Sequence, residues 1–179
     1  MKFIDHFRSR VAKTAFGRAA ITLVELTLVL ALAAIVVFVA VRAYSNAQEN
    51  SRVQQTASAI GQVRSVVESL AQGQANYANV ATYDAVKASL PQSFDNGSNL
   101  TQPFGALTIA SAASGAEYTI AAEKLPADAC QRLAIMDMGR SVVGVKAGTT
   151  AIDLGATTAV SDAATACSAG GVTVTWTFQ

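Results

Sequence analysis

The feature of this sequence that most limits its fold is an apolar run, ITLVELTLVLALAAIVVFVAV, from Ile21 to Val41. Its polar residues are Thr22, Glu25 and Thr27, and Glu25 is the only charged one. As an α-helix that rises about 1.5 Å per residue, the run would be about 31 Å long, which is enough to cross the hydrocarbon core of a bilayer. A buried core helix of a soluble domain is the alternative, but a run this long beside a basic flank is uncommon in soluble folds. The run therefore predicts a membrane segment.

The residues before this run are strongly basic. Residues 1–20 hold five basic side chains and a single acidic one, which are Lys2, Arg8, Arg10, Lys13, Arg18 and Asp5. The whole chain has 13 basic and 12 acidic residues, so its net charge of +1 hides a basic leader in front of an acidic body. Basic flanks stay on the cytoplasmic side of a membrane segment. We therefore expect the leader in the cytoplasm and the body outside it, with no direct binding of nucleic acid.

Three kinds of membrane segment fit these features. A secretory signal peptide would have an apolar core of about 7–15 residues and a small-x-small cleavage site. Ala31-Leu32-Ala33 has that form, but the apolar run continues past it to Val41. An uncleaved signal anchor fits the length but leaves Glu25 unexplained, because a carboxylate inside a membrane segment costs about 2–3 kcal/mol. The third kind gives Glu25 a function.

The segment Ala20-Ile21-Thr22-Leu23-Val24-Glu25 resembles the cleavage site of type IV prepilins. In that family a small residue ends a basic leader, an apolar residue begins the mature chain, and a glutamate is the fifth residue of the mature chain. The resemblance implies that a prepilin peptidase cuts between Ala20 and Ile21, with Ala20 where the family has glycine. It also implies that Glu25 of one subunit meets the Ile21 amine of a neighbour and sets the axial register of a filament.

A pairing between Glu25 and an amine has a physical reason of its own. Cleavage creates a charged amine at Ile21, and each of the two charges is costly alone in an apolar bundle and less costly when paired. Glu25 is also four residues from Ile21, so a pairing within its own helix stays open. A glutamate that is merely tolerated near the membrane interface is the remaining alternative.

The helix is expected to continue beyond the apolar run. Residues 42–73 contain no proline, and their apolar positions recur at helical spacing, at Val53, Ala57, Ile60, Val63, Val67 and Leu70. Gly73 supplies a helix stop. We therefore expect one helix from Ile21 to about Gln72. It is apolar all round in residues 21–41 and amphipathic in residues 42–73, where its apolar stripe packs on a head.

Residues 74–179 form the predicted head, in which strands and helices are set apart along the chain. Helices are expected from Thr82 to Leu90 and from Pro126 to Met138, and Phe94–Asn99 is a loop. Strands are expected at residues 106–110, 118–122, 141–146, 151–154 and 172–178. The side chains expected to cover the helix stripe are Leu107, Ile109, Ile120, Val143, Val174 and Trp176. The pattern predicts an α+β fold with an antiparallel sheet.

The residue types leave little room for catalysis. His6 is the only histidine and lies in the leader, and the carboxylates of the head are spread singly. We therefore expect neither an enzyme nor a bound metal or other cofactor. Cys130 and Cys167 are the only cysteines. In an exported head, two cysteines are expected to form one disulfide, and two free thiols are the alternative.

The head narrows the resemblance to type IVb pilins, the class of the bundle-forming and toxin-coregulated pilins, and the pilins of conjugative thin pili look similar too. The stretches that carry it are ELTLVLALAA, LPADACQRL around Cys130, VGVKAG with IDLG after it, and Cys167 as the second cysteine. The resemblance implies a pilin fold and a prepilin of the bacterial inner membrane. It also implies that the prepilin meets the peptidase and the pilus assembly machinery and self-associates into an extracellular filament. A minor pilin, a secretion pseudopilin and an uncleaved signal-anchored periplasmic binding protein are the alternatives.

The leader hypothesis predicts the N-terminus of the purified protein. If a peptidase cuts after Ala20, mass spectrometry of membrane or filament preparations will find chains that begin at Ile21. The cut is expected at this bond because it makes Glu25 the fifth residue of the mature chain. Membrane-embedded protein that retains Met1 would contradict the hypothesis and favour an uncleaved anchor.

Overall fold

The computed structural model describes residues 22–179. The chain divides into two compact units, Met1–Ala43 and Tyr44–Gln179. The predicted leader and the Ala20–Ile21 bond lie outside the described residues. Residues 22–43 are therefore the described part of the first unit, and the head with its packed helix makes up the second.

One long helix, α1, runs from Leu23 to Ala71, close to the bounds predicted from the sequence. Thr22 begins it: its carbonyl oxygen accepts from the Leu26 N–H at 3.1 Å, and its Oγ1 accepts from the Glu25 N–H at 3.3 Å. A threonine hydroxyl that accepts from the first turn is a favourable helix cap. Every residue of the helix as far as Ala43 is exposed.

Within the second unit, α1 buries one stripe of side chains. Val53, Ile60, Val63 and Val67 of the predicted stripe are buried, and Ala57 and Leu70 are partly buried against the same core. Thr56 and Ala59 are buried as well. The spacing of three and four residues places these side chains on one helical face, so this part of α1 is an ordinary amphipathic helix that packs on a sheet.

The sheet has six strands, β1 (Leu100–Gln102), β2 (Gly105–Ser111), β3 (Tyr118–Leu125), β4 (Val142–Ala147), β5 (Thr150–Ile152) and β6 (Val172–Phe178). Its order is β1-β2-β3-β6-β4-β5, and every neighbouring pair is antiparallel. Three short helices complete the second unit, α2 (Tyr83–Lys87), α3 (Ala127–Ala134) and α4 (Ala159–Cys167), with a 3-10 turn at Gln92–Phe94. The predicted α+β class is confirmed.

The core follows the two-residue alternation of the central strands. Val174, Trp176 and Phe178 of β6 are buried, while the threonines between them are only partly covered. Tyr118 and Ile120 of the neighbouring strand β3 are buried on the same face. Alternate side chains of a strand point to opposite faces, so Val174, Trp176 and Phe178 fill the core from one side of the sheet.

Several sequence-based expectations were wrong in detail. Helix α2 ends at Lys87 rather than near Leu90, and α3 ends at Ala134 rather than Met138. Strand β1 and helix α4 were not predicted at all. Val143 was expected to cover α1, but its side chain is 52% exposed because the pairing of β4 with β6 shifts register between Val142 and Gly144.

A buried amide joins α1 to the sheet. The Gln102 Oε1 accepts from the Thr56 hydroxyl at 2.8 Å and from the Phe104 N–H at 3.3 Å, and its Nε2 donates to the Glu123 carbonyl at 3.1 Å. Gly105 permits this close approach, because a Cβ atom there would lie 2.9 Å from the same Glu123 carbonyl. The hydrogen-bonded amide therefore links the helix, the β1–β2 turn and strand β3 at one point.

Thr56→Val tests this link. The substitution removes the hydroxyl at nearly constant volume and takes one donor from the buried Gln102, so we expect the free energy of unfolding to fall by about 1–2 kcal/mol. The measurement is guanidinium unfolding of the full chain in detergent, followed by the fluorescence of Trp176, which is the only tryptophan. Thr165→Val is the matched control, because the exposed Thr165 hydroxyl donates only to the Ser161 carbonyl within α4. Equal effects of the two substitutions would contradict the link.

Candidate assembly site

The described part of the first unit exposes a continuous apolar surface. Its large apolar side chains range from 51% exposed at Leu26 to 78% exposed at Leu23. By length and composition, α1 contains a segment apolar enough to cross a membrane, with a mean hydropathy of 2.8. Full burial of one such side chain is favourable by roughly 1.5–3 kcal/mol of free energy. A surface of this kind requires lipid or another protein as its partner.

Glu25 and Arg42 are the charged residues of this surface, and Glu25 is the one that lies within the apolar run that ends at Val41. It lies in the first turn of α1, where an acidic side chain is favourably placed near the positive end of the helix dipole. The Arg64–Glu68 and Lys87–Asp84 ion pairs of the described residues lie in the second unit, and neither involves Glu25. The carboxylate is therefore open to a cation from outside the described residues.

Ala20 and Ile21 were predicted as the two sides of a cleavage site. Both lie outside the described residues, so their geometry relative to Glu25 stays a prediction. The structure does place Thr22 as the cap of α1. A chain that began at Ile21 would thus have its new amine within one residue of the helix start.

Cys130 and Cys167 form a disulfide in the second unit. The S–S distance is 2.05 Å and the two Cα atoms are 5.7 Å apart. Cys130 lies within α3, and Cys167 is the last residue of α4, so the bond ties two helices together. No helix was predicted around Cys167. Both cysteines are fully buried, which places the disulfide in the core of the head.

Arg64 fixes the turn that follows the disulfide-bearing helix α3. Its Nη1 donates to the Met138 carbonyl at 2.5 Å, its Nε pairs with Glu68 at 2.7 Å, and its guanidinium lies 5.7 Å from the centre of the Phe178 ring. Arg64 lies off the apolar stripe, and sequence reasoning did not assign it a contact.

Burial raises the pKa of the nearby Tyr118 above its usual range, so this phenol remains neutral in the core.

The described residues offer no metal-binding group of three His, Cys, Asp or Glu side chains. The exposed surface of residues 22–43 is apolar apart from Thr22, Thr27, the Glu25 carboxylate and the Arg42 guanidinium. The second unit supplies a rigid, disulfide-bonded α+β head. These two parts define a pilin-like protein, in which one end of a long helix is left for contacts outside its own chain.

Comparison with known families agrees with this class. The model of the Bundlin family matches residues 45–179. The chain belongs to the Bundlin family, a family of bundle-forming type IVb pilins. The resemblance to type IVb pilins that the sequence suggested is thereby confirmed. A search of the curated proteins finds no significant match.

Removal of the disulfide has a predictable cost. A Cys130→Ala, Cys167→Ala double variant frees a long loop in the unfolded chain and should lose about 3–4 kcal/mol of unfolding free energy in the chain-entropy account. Guanidinium unfolding monitored at Trp176 measures the loss. The control adds a thiol reductant to both proteins: it should lower the midpoint of the original chain and leave the variant unchanged. Equal stability of the two oxidised proteins would contradict the prediction.

Proposed function

We propose that the chain is the prepilin of a type IVb pilus, cut between Ala20 and Ile21 and assembled through residues 21–41 into an extracellular filament. The observation that carries the proposal is the exposed apolar start of α1, with Glu25 as its one charge, in a chain of the Bundlin family. A soluble protein would have no use for such a surface, and a plain anchor would have no use for the carboxylate.

The first stage of the proposed function takes place in the bacterial inner membrane. The basic residues of the leader stay in the cytoplasm, the apolar segment spans the bilayer, and the head folds outside. A head outside the cytosol agrees with a disulfide, because such bonds persist in oxidising compartments. A prepilin peptidase then removes the leader and with it His6 and five basic side chains.

The second stage moves α1 from lipid into a bundle of identical helices. Lipid covers apolar side chains as well as another helix does, so hydrophobic burial alone gives little reason to leave the membrane. Glu25 supplies a reason, since an unpaired carboxylate in the hydrocarbon costs about 2–3 kcal/mol on insertion scales. Pairing it with the Ile21 amine of a neighbouring copy lowers that cost, and it does so in one axial register only.

A minor pilin or a secretion pseudopilin would share the same helix and processing. Its abundance in sheared filaments would distinguish it from a major pilin. We infer a major subunit if the chain dominates sheared filaments, and a priming or tip subunit if it is rare there. An uncleaved periplasmic binding protein anchored by the same segment would retain residues 1–20 and be absent from filaments.

Glu25→Gln tests the assembly step. The substitution keeps the size of the side chain and removes its charge, so the chain should insert and be processed normally while filament yield falls at least roughly ten-fold, because a loss of about 1.4 kcal/mol per contact is already a factor of ten. The measurement is the ratio of sheared filament to membrane-bound subunit.

The matched control is Glu49→Gln, which makes the same change on a partly exposed glutamate in the second-unit part of α1. It should assemble like the original chain. Normal filament yield from Glu25→Gln, or an equal loss from both variants, would overturn the role assigned to Glu25.

A further inference from the structure

The loop between the 3-10 turn and β1 contains Asn96 followed by Gly97, and no other asparagine of the sequence precedes a glycine. Residues 95–99 are all exposed to solvent. A backbone bridge between Asp95 and Leu100 closes the loop at its base, and the Asn96 N–H donates to the Asn99 carbonyl at 3.3 Å. The loop is thus an ordered turn whose atoms are open to water.

The backbone nitrogen of Gly97 lies next to a carboxylate. Its N–H donates to the Asp95 Oδ1 at 2.8 Å. Gly97 has φ +89 and open space where a Cβ atom would be, so no side chain shields this nitrogen. A carboxylate that accepts the proton of a nitrogen is placed as a general base for that nitrogen.

The side-chain amide of Asn96 is polarised by two further donors. Its Oδ1 accepts from the Ser98 N–H at 3.0 Å and from the Asn99 N–H at 2.9 Å. Two backbone N–H groups on one carbonyl oxygen stabilise the negative charge that develops there when a nucleophile attacks the carbon. The loop therefore brings together a base, a nucleophile and an oxyanion site around one amide.

We propose that the folded head deamidates its own Asn96, with water as the only co-reactant. The Gly97 nitrogen attacks the Asn96 Cγ as its proton passes to Asp95, and the oxyanion forms between the Ser98 and Asn99 N–H groups. The Cγ–Nδ2 bond then breaks, and ammonia leaves with the transferred proton. Water opens the resulting succinimide at either carbonyl, which leaves aspartate or isoaspartate and one additional negative charge at residue 96.

A second contact keeps Asp95 in the form that this reaction needs. The Tyr83 hydroxyl donates to the Asp95 Oδ1 at 2.5 Å. This hydrogen bond, the Gly97 N–H and the charge of Lys87 hold the pKa of Asp95 below its usual range, so Asp95 is ionised at neutral pH. The reaction needs only the folded head and does not depend on the proposed function.

The decisive measurement compares the folded with the unfolded chain. The full chain is held at neutral pH in detergent, with and without guanidinium, and conversion at residue 96 is followed by peptide mapping and mass spectrometry. We expect Asn96 to react at least roughly ten-fold faster in the folded chain, a conservative threshold below the roughly 100-fold or more that a positioned acid or base contributes. A folded rate equal to or below the unfolded rate would overturn the proposal.

Asn76 is an internal control in the same samples. Its Oδ1 accepts from a single backbone N–H, that of Ala78 at 3.1 Å, and the following residue, Tyr77, donates its own N–H to the Gly115 carbonyl at 2.8 Å. It therefore has neither the base nor the paired donors, and its amide should persist. Conversion of Asn76 at the rate of Asn96 would assign the reaction to general exposure and overturn the proposal.

Asp95→Asn tests the base, because the new side chain keeps an acceptor oxygen for Tyr83 and Gly97 and loses the charge. We expect it to slow conversion of Asn96 at least roughly ten-fold. Asp84→Asn makes the same change at an exposed carboxylate that pairs with Lys87, and it should react at the original rate. Unchanged Trp176 fluorescence will show that each variant is folded. A rate for Asp95→Asn equal to the original, or an equal slowing by Asp84→Asn, would refute the role of Asp95.

Discussion

The exposed apolar surface of residues 22–43 is the constraint on which the rest of the molecule depends. Large aliphatic side chains in water cost free energy in proportion to their area, and nothing in the described part of the first unit covers them. The surface must therefore be covered by lipid or by other chains. Glu25 and Arg42 are the charged residues of this surface, and Glu25 alone lies inside the apolar run, where a carboxylate is costly in lipid and less costly beside a cation.

The second unit, in contrast, covers its apolar side chains within its own chain. There α1 buries one stripe against a sheet, and the buried hydrogen bonds of Gln102 and the contacts of Arg64 hold the helix to separate parts of the head. The Cys130–Cys167 disulfide fastens α3 to α4 on the same core. One helix thus packs on its own head over its second half, while the apolar side chains of its first half stay exposed.

Sequence patterns predicted those helices and strands in which the hydrophobic pattern extends over many residues. Helix α1 and strand β6 have sustained periodicity, and both were predicted within a few residues. Helix α4 was missed because its buried positions, Ala159, Ala163 and Cys167, carry small side chains that give a weak apolar pattern. Strand β1 was missed because its three residues are too few to show an alternation. The turn after α3 is contacted by Arg64, which lies far away in sequence, and the exposure of Val143 follows from a register shift. Local patterns do not encode such contacts.

The prediction of the candidate site rests on a different kind of signal, and its cleavage and charge pairing stay predictions, whereas the disulfide is observed. Ala20, Ile21 and Glu25 form a short local motif beside an apolar run, and the two cysteines had each other as their only partners. The chemistry around Asn96 was not predictable, since the sequence indicated only a loop. Its base and its two donors come from the exact path of the backbone through residues 95–99.

The most direct test of the account is a near-atomic reconstruction of filaments sheared from cells that produce this chain. We expect each subunit to begin at Ile21, with α1 in the filament core and the Glu25 carboxylate within hydrogen-bonding distance of the Ile21 amine of a neighbouring subunit. Subunits that retain residues 1–20, or a Glu25 that faces solvent away from every amine, would contradict it.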